Sequence, residues 1–181
     1  LFALLSATVS AHQMQTKSTA LPNADEYVIP THRRVLPNGG EHDLICRACG
    51  RTITQGTFVM DKSDQGPSPS TIDYEYEMAV GGTNTTIHVF TNPAGERFHV
   101  LNAHDANVRL NTEPTDDATW YPGNTWVITS CAHCGAHMGW FFEPRGTTAA
   151  DKARSFYGIV LDRVISGEYC DSLIRIPGGK P

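Results

Sequence analysis

Two short runs carry the strongest chemistry in the sequence: Cys46-Arg47-Ala48-Cys49-Gly50 and Cys131-Ala132-His133-Cys134-Gly135. Each has the form Cys-x-x-Cys-Gly. The two-residue gap lets both thiolates of one turn reach a single cation. The glycine that follows allows a positive φ, which aims backbone N–H groups at the sulfurs. Two such knuckles supply four sulfurs, the tetrahedral set of a closed structural zinc site. No ligand position remains for water, so Cys46, Cys49, Cys131 and Cys134 point to a fold-holding Zn2+ rather than a catalytic one. Disulfides within each knuckle are the competing reading, but bridges inside such a turn are usually redox-active, and a redox motif needs only one turn. His133 and His137 can also bind zinc; with four thiolates present they are expected around the site or in a pocket. Cys170, the fifth cysteine, reads as a small buried hydrophobe.

Residues 119–142, TWYPGNTWVITSCAHCGAHMGWFF, hold all three tryptophans of the chain: Trp120, Trp126 and Trp140. Pro122-Gly123 marks a turn between the first two. A period of two puts Trp126 on one strand face with Ile128 and Ser130, and puts Trp140 with Phe142 on the next strand. Four large aromatics then converge from two strands and a loop, beside the second knuckle. Two readings stay open from the residues alone. The rings are ordinary core, or they are an open cage for a flat or cationic ligand.

The elements that must position these groups are mostly strands. The chain has 181 residues, a net charge of −5 and scattered basic residues. That suits one domain with flexible ends and argues against nucleic acid or an anionic membrane surface as partner. From Glu41 the pattern turns β-like. TIDYEYEMAV alternates, with Ile72, Tyr74, Tyr76 and Met78 on one face, and TTIHVF and ERFHVL flank a hairpin turn at residues 91–95. TTAADKARSF is the one convincing place for a short helical turn. Residues 12–40 are polar, contain Pro22, Pro30 and Pro37, and show no period, so they read as a loose segment.

The run LFALLSATVSA, residues 1–11, has the length of a signal-peptide core and ends in small residues at Val9-Ser10-Ala11. It is too short to span a bilayer. The expectation is a partial signal peptide, a mature chain from His12 and a secreted, extracellular protein; an apolar helix packed on the domain is the alternative. Asn84-Thr85-Thr86 is a glycosylation sequon, which fits secretion.

LICRACG, TNPAG, TWYPGNTWVITSCAHCGAHMGW and SFYGIV resemble, in order and spacing, the CULT domain, the thalidomide-binding domain of cereblon and its relatives. The resemblance covers about residues 41–165. It implies an all-β, mainly antiparallel fold, a β-tent of two antiparallel sheets pinned by a four-cysteine zinc site. The domain is expected over 41–168, with a tail over 169–181. By the resemblance, the four knuckle cysteines hold zinc, and Trp120, Trp126, Trp140 and Phe142 form a cage for a cyclic imide of the glutarimide or thalidomide type. The backbone N–H of Trp120 and the carbonyl of Ala118 meet the imide edge, and Asn92 and Pro93 lie in a loop that closes over the ligand. Ala118 and Ala94 depart from cereblon, which carries histidines there. With a signal-like run and a loose segment ahead of the domain, no ubiquitin-ligase docking region is expected. The implied function is a binding module, not an enzyme, for cyclic imides, uracil-like pyrimidine rings or protein ends bearing a cyclic imide. The alternative is an enzyme resembling methionine sulfoxide reductase type B, which shares the β-tent and the knuckles. It needs a thiolate nucleophile in the pocket, and only Cys170 is spare.

Overall fold

The computed structural model describes residues 42–61, 66–146 and 148–173. The leader, the cut after Ala11 and the loose segment 12–40 therefore lie outside the described residues, as does the end of the tail. Among the described residues, ten strands form two antiparallel sheets, as the resemblance implies. The small sheet has the order β10-β1-β2, with β1 Asp43–Cys46, β2 Thr52–Gln55 and β10 Val164–Ser166. The large sheet has the order β3-β4-β5-β9-β8-β7-β6. Its strands are β3 Tyr74–Val80, β4 Thr83–Thr91, β5 Arg97–Ala103, β6 Val108–Leu110, β7 Asn124–Cys131, β8 His137–Pro144 and β9 Phe156–Val160.

Alternation along these strands divides the interior in two. One face of the large sheet offers Ile87, Leu101, Ala103 and Ile159, which pack with Leu44, Cys46, Ile53 and Val164 of the small sheet. Val100 and Phe142, with Phe90 and Phe156, belong to the opposite face and form a second core with Tyr121. The joint between sheets and the aromatic cluster thus occupy opposite faces of one sheet.

The hairpin expected at residues 91–95 joins β4 to β5, closed by Gly95 N–H to the Asn92 carbonyl at 2.9 Å. The expected helical turn is α1, Ala149–Lys152. Thr148 caps it, accepting from the Asp151 N–H, while the Asp151 carboxylate accepts from the Thr148 N–H. The patterned face of β3 is less covered than its alternation suggests: Tyr74 is 47% and Met78 38% exposed, because β3 is an edge strand. A second helix, α2 Gly167–Leu173, crosses the expected boundary at residue 168. Ser166 starts it by accepting from the Tyr169 N–H at 3.1 Å. No described helix is long and apolar enough to cross a membrane.

Candidate functional site

Both knuckles fold by the same local pattern. Gly50 N–H donates to the Cys46 carbonyl at 2.8 Å, and Gly135 N–H to the Cys131 carbonyl at 3.0 Å. Each chain reversal is then closed five residues on, Cys46 N–H to Arg51 carbonyl and Cys131 N–H to Ala136 carbonyl, both at 2.8 Å. Gly50 and Gly135 sit at φ +73° and +76°, and an added Cβ would meet nothing at either. Backbone conformation, not space, selects glycine there. Cys46 ends β1 in the small sheet and Cys131 ends β7 in the large one, so the two turns meet where the sheets meet.

All four Sγ atoms lie within 4.8 Å of one another. Cys46–Cys134 and Cys49–Cys131 are separated by 3.7 Å. A tetrahedron of sulfurs about 2.3 Å from zinc has edges of about 3.8 Å, so the spacing fits such an ion. Sulfurs 3.7 Å apart are not disulfides, and all five cysteines are free. Backbone N–H groups point at the sulfurs: Arg51 N–H at Cys49 and Ala136 N–H at Cys134. The Ala136 N–H brings the Cys134 thiol down to about 7, whereas burial pushes Cys46 and Cys49 up. One thiolate is therefore at hand near neutral pH, and a cation that gathers all four must displace the protons that burial holds on Cys46 and Cys49.

The second knuckle is also the turn of the β7–β8 hairpin, and that hairpin carries two of the three tryptophans. Trp126 stands opposite Phe142, and Ile128 opposite Trp140. Residues opposite in an antiparallel pair share a face, so Trp126, Trp140 and Phe142 look the same way, onto the second core. All three tryptophans are part-exposed, whereas Phe90, Val100, Tyr121, Phe142 and Phe156 beneath them are at most 1% exposed. The tryptophans form the rim of this cluster and the phenylalanines its floor.

Trp120 stacks on Phe90, centroids 4.3 Å apart and planes 3° apart, and meets Trp140 edge to face at 4.7 Å. Phe98 touches Trp140 at 5.1 Å, and the His137 ring abuts both. Burial lowers the pKa of His137, so its imidazole is neutral at pH 7. Phe142 pairs its ring with Tyr121 at 4.6 Å and Phe156 at 5.2 Å, and forms no stacked or edge-to-face pair with a tryptophan among the described residues. Trp126 packs against the same core but forms no stacked or edge-to-face pair with another described ring. Its indole N–H donates to the Asp117 carbonyl at 2.9 Å, and its backbone pairs with Thr115. Trp126 thus stands on the same core as Trp120 and Trp140 without pairing its ring with either.

The loop bearing Trp120 is held from several sides. Pro122-Gly123 makes the expected turn, with Asn124 N–H donating to the Tyr121 carbonyl at 3.1 Å and Gly123 at φ +79°. The Trp120 carbonyl accepts from Ser68 N–H at 2.9 Å and from the Thr71 hydroxyl at 3.0 Å. Arg145 pairs with Asp116 at 2.7 Å. Below, the Tyr121 hydroxyl donates to Asn102 Oδ1 at 3.1 Å and lies 3.3 Å from His88 Nδ1, with Glu75 beyond His88 at 3.7 Å. Burial outweighs Glu75 and keeps His88 neutral. Ala118, exposed, has φ +52°, the sole positive φ outside glycine among the described residues. Neither its carbonyl nor the Trp120 N–H bonds a described residue.

Asn92 closes its own hairpin: its Oδ1 accepts from Glu96 N–H at 2.9 Å, and among the described residues no hydrogen bond links Asn92 or Pro93 to the tryptophan loop. The arms of that hairpin do reach the site, through Phe90 and Phe98. Asn84 is exposed at the head of β4, and His133 is exposed on its knuckle. Cys170 is part-buried on α2, which packs on β1 and β10. A cleft of about 660 Å³ opens there too, lined among others by Met78, Leu161, Ile165 and Tyr169. It includes none of the expected site residues. Sequence reasoning passed over Phe90, Phe98, Tyr121, Ser68 and Thr71. The alternation of Phe98 with Val100 in ERFHVL was the available signal for one of them.

No family model matches the chain. Among curated proteins it is similar to cereblon of Gallus gallus, 39% identical over 77 residues, 42% of this chain and 17% of that protein. Cereblon of Danio rerio is 37% identical over 102 residues, 55% of this chain and 19% of that protein. Cereblon of Drosophila willistoni is 25% identical over 135 residues, 73% of this chain and 19% of that protein. The chain thus spans less than a fifth of the length of these relatives.

Proposed function

We propose that this protein is a zinc-stabilised binding module whose tryptophans take a small cyclic imide, of the glutarimide type, or a uracil-like ring. One observation carries the reading. Beside three part-exposed tryptophans, the Trp120 N–H and the Ala118 carbonyl have no partner among the described residues, the latter in a strained left-handed conformation. Strain of this kind persists where a site uses it. An imide edge reads acceptor, donor, acceptor. Its N–H would donate to the Ala118 carbonyl, and one of its carbonyls would accept from the Trp120 N–H. A flat ring lodged among Trp120, Trp126 and Trp140 would bury its methylene groups at about 25 cal/mol per Å². The zinc contributes indirectly, by closing the hairpin that carries Trp126 and Trp140. The Ala118 side chain offers no donor, so affinity is expected in the micromolar range or weaker, about −8 kcal/mol or less in magnitude.

A protein end bearing a cyclic imide presents the same edge and is the macromolecular form of this ligand. The ubiquitin-ligase role is not carried over. The apolar run 1–11 and the exposed sequon at Asn84 favour a secreted setting, in which the mature chain starts at His12. Binding is preferred to reductase chemistry because Cys170 packs on the small sheet, away from the rings.

The test is calorimetry with glutarimide and its N-methyl derivative. N-methylation removes the donor and leaves the Ala118 carbonyl unpaired, at a cost of roughly 1–3 kcal/mol. Equal binding of both, or binding unchanged in Trp140→Ala, would overturn the reading. A methionine sulfoxide reductase rate that vanished in Cys170→Ser would replace it.

A further inference from the structure

Phe98 and Trp140 belong to strands that are not neighbours: β9 lies between β5 and β8. Adjacent strands are about 4.8 Å apart, so a side chain on the middle strand normally separates those on either side. Here the middle position is Gly158, opposite Trp140 in one ladder and Asn102 in the other. Phe98 lies four residues along β5 from Asn102, so its ring meets that of Trp140 diagonally over β9, at 5.1 Å and 82°. The space over Gly158 itself is filled by Phe142 and Val100. A Cβ on Gly158 would stand 2.9 Å from Phe142 Cε2 and 3.0 Å from Val100 Cγ1. Phe98 also lies 6.1 Å from Trp120, and Phe90, its partner across the β4–β5 ladder, stacks on Trp120.

We propose that Phe98 is a positioning residue of the aromatic site: through its edge-to-face contact with Trp140 and its contact with Trp120, it fixes the planes of both rings. Edge-to-face aromatic pairs are directional, because the positive edge of one ring seeks the negative face of the other. An aliphatic side chain of similar volume fills the space without setting the angle. The orientation of Trp140 and Trp120 then decides the shape of the wall offered to a ligand, a consequence that rests on the binding reading above. The positioning itself does not.

The test compares Phe98→Leu, Phe98→Ile and Phe98→Tyr in the full chain. Two indoles held close and non-parallel couple their transitions and give a paired positive and negative band in circular dichroism. Trp140→Ala marks its absence. In the folded aliphatic variants the couplet should fall by about half or more, and glutarimide should bind about tenfold more weakly. In Phe98→Tyr, the aromatic ring restores the couplet, and affinity stays within about threefold of wild type. Should wild type bind no glutarimide, the binding reading fails and the couplet alone decides the positioning role. A couplet unchanged in the folded aliphatic variants, or equally lost in Phe98→Tyr, overturns the proposal.

Discussion

The turn end of the β7–β8 hairpin and its middle are built by different rules. At the turn end, four sulfurs converge at 3.7 Å spacings, backbone N–H groups point at the thiols, and both reversals are closed by hydrogen bonds. That end is suited to stay shut. A few residues along the same strands, and in the loop ahead of them, three indoles remain part-exposed. One backbone donor and one acceptor there have no partner among the described residues, and Ala118 sits in a costly conformation. The contrast teaches where a small β domain can tolerate incompleteness: on the outer face of a sheet whose other face is tied down.

The largest effect expected is at the closed end. Structural zinc is worth on the order of 10 kcal/mol, comparable to the whole stability of a domain. Cys131→Ser, or a strong chelator, should abolish the cooperative unfolding transition, and elemental analysis of the wild type should find one zinc per chain. A folded, zinc-free protein would erase the contrast. Acid should act the same way, because protons compete with the cation for the thiolates; zinc should leave as pH falls.

At the open middle, Trp126→Ala should cost most of the ligand affinity while calorimetric unfolding shows a stability loss below the roughly 3–5 kcal/mol typical of a fully buried ring. A loss at or above that range would make Trp126 ordinary core. Phe142→Tyr probes the floor. Phe142 is 1% exposed, so the new hydroxyl finds no water and should destabilise the fold by about 1–3 kcal/mol. The smallest effect belongs to Ala118→Gly. Relief of the left-handed strain, about 1–2 kcal/mol, is partly offset by the chain entropy of glycine. A net gain of about 0.5 kcal/mol is expected in denaturant titrations, with weaker ligand binding as the loop loosens.

What could be read from the sequence was local. Each knuckle is a five-residue pattern whose chemistry and turn are specified by its own residues, and the Trp-x-Pro-Gly loop likewise announces its turn. Most strands of the large sheet were legible from the residue pattern, but the short β6 was not. The neighbours of the tryptophans were not, because they depend on strand order. Phe98 meets Trp140 from the far side of β9, and no period in one strand reports what stands two strands away. Phe142 shows the same limit from the other side. Its face was assigned correctly, but its depth was set by Tyr121 folding over it, anchored on His88 and Asn102 from other strands. Helix α2 was missed although Ser166 gives a capping signal, since Gly167 and a short length weaken the pattern.

The separation of the two knuckles along the chain bears on how the protein assembles. Each turn can capture a cation with two sulfurs before any sheet exists, yet the joined site pairs residues 82 and 88 positions apart. Contacts of that range form late and slow folding. With one cation per chain, the half-filled knuckle waits for its counterpart, and the metal guides the sheets together. With cation in excess, both knuckles fill separately and one ion must depart before the joint can close. Refolding should therefore slow as zinc rises beyond one equivalent. At high protein concentration, half-filled turns on two different chains can share an ion, which makes the metal that secures one molecule a route to linking two.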